Sequence, residues 1–166
     1  LNIYKEKRES GWSHERIMSA IRSKSRDNAR TPMQWDSSGQ AGFTSGKPWI
    51  SVNPRKNEIN AMQAVADQDS IYHHYRKLIE LRKSLAVISE GDFTLLLPED
   101  ERIFAYRRNS AQDTLYVICN FTEKPIELTD GELIKAREEG DLLLTNVSSS
   151  GKRTLAPYEA SVYHMR

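Results

Sequence analysis

Residues 25–35, Ser25-Arg26-Asp27-Asn28-Ala29-Arg30-Thr31-Pro32-Met33-Gln34-Trp35, bring planar donors, amides and an aromatic plate into one short run. Arg26 and Arg30 offer guanidinium forks, Asn28 and Gln34 offer amides that donate and accept, and Trp35 offers an apolar face. That mixture suits a hydroxyl-rich ligand such as a sugar. The same residue types also suit a charged loop that caps a helix end, since both kinds of segment live in loops. Asp27 and Asp36 flank the run and are carboxylates for acid–base work or, equally, for Asx-turns.

The elements around this run follow from periodicity and caps. Ser13 is a suitable N-cap for a helix over 13–23, with Glu15 in its first turn and Ile17 and Ile21 on one face. A second helix is predicted over 58–67, with Ile59, Met62, Val65 and Ala66 along one side. The longest is predicted over 70–85, behind Asp69 as cap, with Ile71, Tyr75, Leu78, Ile79, Arg82 and Leu85 on the helical period. That stripe needs a partner, and none is obvious in the chain. Residues 26–57 hold Pro32, Gly39, Gly42, Gly46, Pro48 and Pro54 and keep no period, which marks a long binding loop. Trp35, Phe43 and Trp49 within it are expected to pack on a scaffold elsewhere.

The second half changes character near residue 88. Strands are predicted over 92–97, 102–109, 113–121, 125–129, 141–147, 152–156 and 158–165, an all-β module. Residues 115–119 are apolar on both alternating faces, as in a central strand, whereas 103–108 becomes polar toward its end. Turn signals at 109–113, 129–131 and 148–151 fit an antiparallel sandwich.

Composition limits the function classes. The 166 residues are 38% hydrophobic and 28% charged, as in ordinary globular chains, and the net charge of +1 argues for neither nucleic acid nor an anionic membrane as partner. No apolar stretch approaches the roughly 20 residues that span a bilayer. Residues 1–7 lack a signal-peptide pattern, and the opening Leu1-Asn2-Ile3-Tyr4 without Met suggests a chain cut from something longer. Cys119 has no partner for a disulfide and reads as a buried, inert thiol, in line with a reducing, cytoplasmic location.

Most catalytic constellations are missing. His73 and His74 are helix neighbours pointing about 100° apart, and His14 and His164 are isolated, so no metal site is expected. Gly39, Gly42 and Gly46 form no phosphate loop, and no cofactor is expected. Glu99-Asp100-Glu101 and Glu138-Glu139 lie in polar, turn-like contexts and read as solvated surface.

Several ordered motifs carry a family resemblance. Residues 25–36, then Ala41-Gly42-Phe43-Thr44, Pro48-Trp49-Ile50 and Glu58-Ile59-Asn60, closely resemble the oligo-1,6-glucosidase and α-glucosidase branch of the α-amylase superfamily. Asp69-Ser70-Ile71-Tyr72 leading into 75–83 resembles that branch's last barrel helix. Residues 103–108, 117–121 and 155–160 resemble its C-terminal β domain. The resemblance implies an α+β chain: residues 1–88 are the loop after strand eight and the final helix of a (β/α)8 barrel, and 89–166 are an antiparallel β-sandwich. The unpaired stripe of 71–85 then belongs against the missing catalytic barrel.

The same resemblance implies a retaining, exo-acting α-glucosidase acting on glucose-containing oligosaccharides through an Asp nucleophile, a Glu acid/base and a second Asp. No residue here matches those acids, so the chain alone is expected to be inactive. Arg30 matches the family arginine that grips the terminal glucose, while Arg26, Asn28 and Trp35 are expected to support the loop. Ala29 leans toward oligo-1,6-glucosidases, α-glucosidases and sucrose isomerases, since trehalose-6-phosphate hydrolases often carry Ser there. Two readings of other classes stand beside this one. The first is a lone carbohydrate-binding sandwich with Tyr106, Tyr116, Tyr158 or Tyr163 as a stacking platform. The second is a non-catalytic remnant whose helical half folds back on the β half or pairs with another copy through its apolar stripes.

Overall fold

Polar N-caps start several helices of the computed structural model, which describes residues 2–148 and 151–166. Contacts divide the chain into two units, Leu1–His73 and His74–Arg166. The first unit opens with α1 (Asn2–Glu9), a helix without an apolar stripe that periodicity does not reveal. Then α2 (His14–Lys24) starts where Ser13 Oγ accepts the Arg16 N–H at 3.2 Å, and it buries Ile17. The helix expected over 58–67 is shorter, α3 (Ala61–Ala66), because Pro54–Asn57 winds into a 3-10 turn and Asn60 is the N-cap.

The long helix is α4 (Ile71–Ser84), which crosses the division between the units. Its cap corrects the expectation of Asp69. The Ser70 hydroxyl accepts the His73 N–H at 3.5 Å, while the Asp69 N–H donates to Asp67 Oδ1 at 3.0 Å. The short α5 (Ala86–Glu90) follows and buries Val87.

In the second unit the seven expected strands all form: β1 (Asp92–Leu96), β2 (Ile103–Asn109), β3 (Thr114–Asn120), β4 (Ile126–Glu127), β5 (Asp141–Thr145), β6 (Thr154–Leu155) and β7 (Ala160–Met165). Five of them make an antiparallel sheet in the order β1-β2-β3-β7-β5, and β4 pairs with β6. The all-β expectation fails at α6 (Gly131–Glu139), which starts where Asp130 Oδ1 accepts the Leu133 N–H at 2.9 Å. Glu138 and Glu139 are therefore helical, though exposed as expected.

Registers Ala105↔Ile118, Tyr116↔Tyr163 and Ile118↔Ser161 put one set of alternating residues on a common face. That face packs with Leu128, Leu133, Ala136 and Leu155 into the core. Central β3 buries Tyr116 and Ile118 there, while Val117 and Cys119 on its other face are half-buried. Burial pushes the Cys119 thiol pKa up, which keeps it in the unreactive form. Ser149 and Ser150 of the expected 148–151 turn lie outside the described residues, as does Leu1.

Candidate functional site

The polar run begins at a residue with two jobs. Ser25 ends α2 by donating its N–H to Ile21 O at 2.8 Å, and its hydroxyl accepts the Asp27 N–H at 3.3 Å to start a 3-10 turn, Arg26–Ala29. The turn closes where the Arg30 N–H donates to Asp27 O at 3.1 Å. Arg30 sits at φ −117°, ψ 12°, near the sparsely populated bridge region, and is exposed. Arg26 is also exposed; the Asn28 side chain lies outside what is described. Beyond Arg30 comes a three-residue strap with Pro32 buried at its middle.

The strap ends on α3, whose first-turn N–H groups need partners. Ala61 N–H donates to Gln34 O at 2.8 Å, Met62 N–H to Trp35 O at 2.9 Å, and Gln63 N–H to Asn60 Oδ1 at 2.9 Å. The Gln34 side chain adds a fourth tie by donating Nε2 to Ile59 O. Asn60, only 5% exposed, fixes that carbonyl's setting because its Nδ2 donates to Lys56 O at 2.8 Å. Gln34, expected to present its amide to a ligand, thus turns it inward to its own chain.

A tight turn follows. Trp35 N–H donates to Ala41 O at 2.9 Å, and Ala41 N–H donates to Ser38 O at 2.9 Å. Asp36 Oδ1 accepts the Ser38 N–H at 2.8 Å, the expected Asx-turn. The Ser38 hydroxyl and N–H hold the Asp36 carboxyl below the usual carboxylate range, so it stays ionised and does not suit a proton donor. Lys56 Nζ donates to the carbonyls of Ser37 (2.8 Å) and Ser38. Sequence reasoning missed Lys56 and Asn60 as supports. The Asn-Pro at 53–54, where Asn53 Oδ1 accepts the Arg55 N–H at 3.0 Å, was the available sign of a turn there.

Hydrogen bonds, and not burial of aromatics, hold this loop. Trp35, Phe43 and Trp49 are 53%, 50% and 89% exposed within this chain, and Arg30 is exposed as well. An exposed aromatic face can stack on a sugar ring, and an exposed guanidinium can donate to hydroxyls.

Other candidates resolve differently. His73 Nε2 lies 2.9 Å from Val65 O. Among the described residues no group of three or more His, Cys, Asp or Glu is arranged to hold a metal ion, and no helix is long and apolar enough to cross a membrane. The four tyrosines form no single platform. Tyr116 and Tyr163 lie in the core, Tyr106 packs beside Phe93 and Phe104, and Tyr158 stands exposed at φ 53°.

Comparison with known proteins places this loop in context. Residues 2–91 match the family model of the α-amylase catalytic domain. The oligo-1,6-glucosidase of Halalkalibacterium halodurans is 48% identical over 98% of this chain and 30% of its own length. The oligo-1,6-glucosidase of Bacillus cereus is 45% identical over 100% of this chain and 30% of its own length. The crystal structure of a Bacillus licheniformis trehalose-6-phosphate hydrolase superposes with a TM-score of 0.86 at 43% identity, over 99% of this chain and 30% of that one. The chain spans about 30% of the length of the relatives it matches.

Proposed function

Because the chain belongs to the α-amylase family, we propose that it forms the C-terminal part of a retaining, exo-acting α-glucosidase of the oligo-1,6-glucosidase type. The whole protein hydrolyses terminal α-glucosidic bonds of short oligosaccharides. In that reaction an Asp attacks the anomeric carbon while a Glu protonates the departing glycosidic oxygen. Water, deprotonated by the same Glu, then releases glucose with net retention. In this reading the acids come from outside these 166 residues. The chain contributes the substrate-facing loop and the β domain, and by itself it turns over nothing.

The observation that carries the reading is Arg30, exposed at the end of a 3-10 turn and backed on both sides by capped helices. There its guanidinium grips hydroxyls of the terminal glucose and favours attack from the chain end. A charge-assisted hydrogen bond of this kind contributes roughly 1.5–3 kcal/mol, so Arg30→Ala in the full-length protein lowers kcat/KM for isomaltose and p-nitrophenyl α-glucoside by roughly ten- to hundredfold. Unchanged kcat/KM would sink the assignment of Arg30.

The likeness to the trehalose-6-phosphate hydrolase structure supports a second reading, in which the substrate is a phosphorylated disaccharide. Comparing isomaltose with trehalose 6-phosphate as substrates of the full-length protein separates the two.

A further inference from the structure

We propose that the outer face of the five-stranded sheet holds the catalytic domain, an inference that rests on reading this chain as part of a longer glucosidase. In the whole protein that face is covered by the part of the domain outside these 166 residues. An antiparallel sheet with one packed face ordinarily turns polar side chains out on the other. Here the second face is apolar as well. Tyr106, Val117 and Val162 stand in one row across β2, β3 and β7, and Phe104, Cys119 and Ala160 stand in the next. None of these is a charged residue, and none is fully buried within the chain. Ring contacts extend the patch: Phe93 lies 5.2 Å from Tyr106 and Phe121 lies 6.4 Å from Phe104, centroid to centroid, and they are 55% and 66% exposed. A continuous apolar surface of this kind marks an interface.

The same face shows what covers it. The catalytic-domain match runs to residue 91, so it takes in α5 and stops one residue before β1. Arg108 and Leu115 are cross-strand partners on the outer face, in the row beside Tyr106 and Val117. There α5 closes over the sheet. Arg108 donates Nε to Val87 O at 3.1 Å and Nη2 to Gly91 O at 2.7 Å, and Val87 and Leu115 are both buried. The last element of the catalytic-domain match thus already occupies one end of the face, and the open rows continue that contact beyond α5. Relatives are matched over only about 30% of their length, which leaves most of a catalytic domain to fill those rows. With no charged side chain in the two open rows, the surface that meets them is apolar.

The test uses the full-length protein and the thiol of Cys119, which lies in the second open row, as a probe of cover. Native protein is exposed to iodoacetamide, and alkylation of the peptide carrying Cys119 is followed by mass spectrometry, with thermal melting measured alongside. Phe104→Lys puts a charge in the Cys119 row. On a face open to solvent this substitution costs little, since Phe104 is 44% exposed within the chain. On a covered face it buries a lysine against apolar surface, so F104K should lower the melting temperature and speed Cys119 alkylation by roughly tenfold or more. Melting and alkylation both unchanged in F104K overturn the proposal. A parent dimer that F104K converts to monomer in sedimentation, with Cys119 shielded only in the dimer, puts a second copy on the face and overturns it too. If F104K does not fold, Val117→Thr, close in shape with a hydroxyl in the adjoining row, takes its place with the same expected direction. Turnover of neither isomaltose nor trehalose 6-phosphate, beside the expected F104K results, overturns the glucosidase reading and leaves the covered face standing. A full-length protein with no catalytic domain beyond these residues overturns both.

Discussion

The Arg137 guanidinium meets the Glu159 carboxylate at 2.7 Å, with side-chain exposures of 1% and 0%. The pair is also a clasp. Arg137 donates to the carbonyls of Gly151 (2.8 Å), Lys152 (3.0 Å) and Thr154 (3.2 Å), while Glu159 accepts the Ala156 N–H and the Ser161 hydroxyl, both at 2.8 Å. Removing one partner strands a buried charge, so Glu159→Gln is expected to cost about 3–5 kcal/mol in urea unfolding. Replacing both ions by apolar residues often restores stability elsewhere. Here R137M/E159L should remain clearly destabilised, because three carbonyls lose a guanidinium donor and the Ala156 N–H loses its carboxylate as well. A double variant as stable as the parent would show that those backbone groups find water.

The same clasp sets an acid limit. Burial alone pushes the Glu159 carboxyl up, but hydrogen bonds from Arg137, the Ala156 N–H and Ser161 outweigh it and hold its pKa below the ordinary 4.5. The unfolded chain therefore takes up a proton at a pH where the folded chain does not. The stabilisation is complete above about pH 4.5 and is lost as the pH falls from there through the lower folded value. Denaturation midpoints measured between pH 6 and roughly pH 3 should fall steeply at the acid end, and less steeply in E159Q.

The strands were legible because alternation and turn residues act locally: every predicted strand formed, with the apolar 115–119 run at the sheet's centre. Helix α6 was not, because its buried face is Leu133, Ala136 and Arg137, and an inward arginine breaks the apolar period. Its burial makes sense only once Glu159, far along the chain, is beside it. The loop shows the same limit. The residues of 25–35 were recognisable, but the direction of the Gln34 amide depends on a carbonyl 25 residues away. The cap at Ser13 needs three residues to be understood; the tie at Gln34 needs the fold.

Gly42 is expected to be irreplaceable in the loop. It sits at φ +65°, and a Cβ there would lie 2.7 Å from Asp36 Oδ2 and 3.2 Å from Trp35 Cβ. Gly11 shares the left-handed backbone at φ +83° but has open space around it. Gly11→Ala should therefore cost only the conformational penalty, about 1–2 kcal/mol, and Gly42→Ala clearly more, since the Asp36 turn must shift too. Gly39, with nothing within 4 Å and no positive φ, is the control, and its Ala variant should stay within about 0.5 kcal/mol of the parent. Thermal melting of the three variants checks the order.

Ile71, Tyr75 and Ile79, spaced along one face of α4, are 78%, 63% and 51% exposed. Exposed apolar stripes of this kind drive association. The 166-residue chain on its own is therefore expected to self-associate. Sedimentation over a wide concentration range should show species larger than the 19.1 kDa monomer. Burying one such side chain is worth about 1.5–3 kcal/mol, so Ile79→Glu should raise the concentration needed for association by roughly tenfold or more. A chain that stays monomeric at high concentration, with I79E unchanged, would mean that this face of α4 does not drive association in solution.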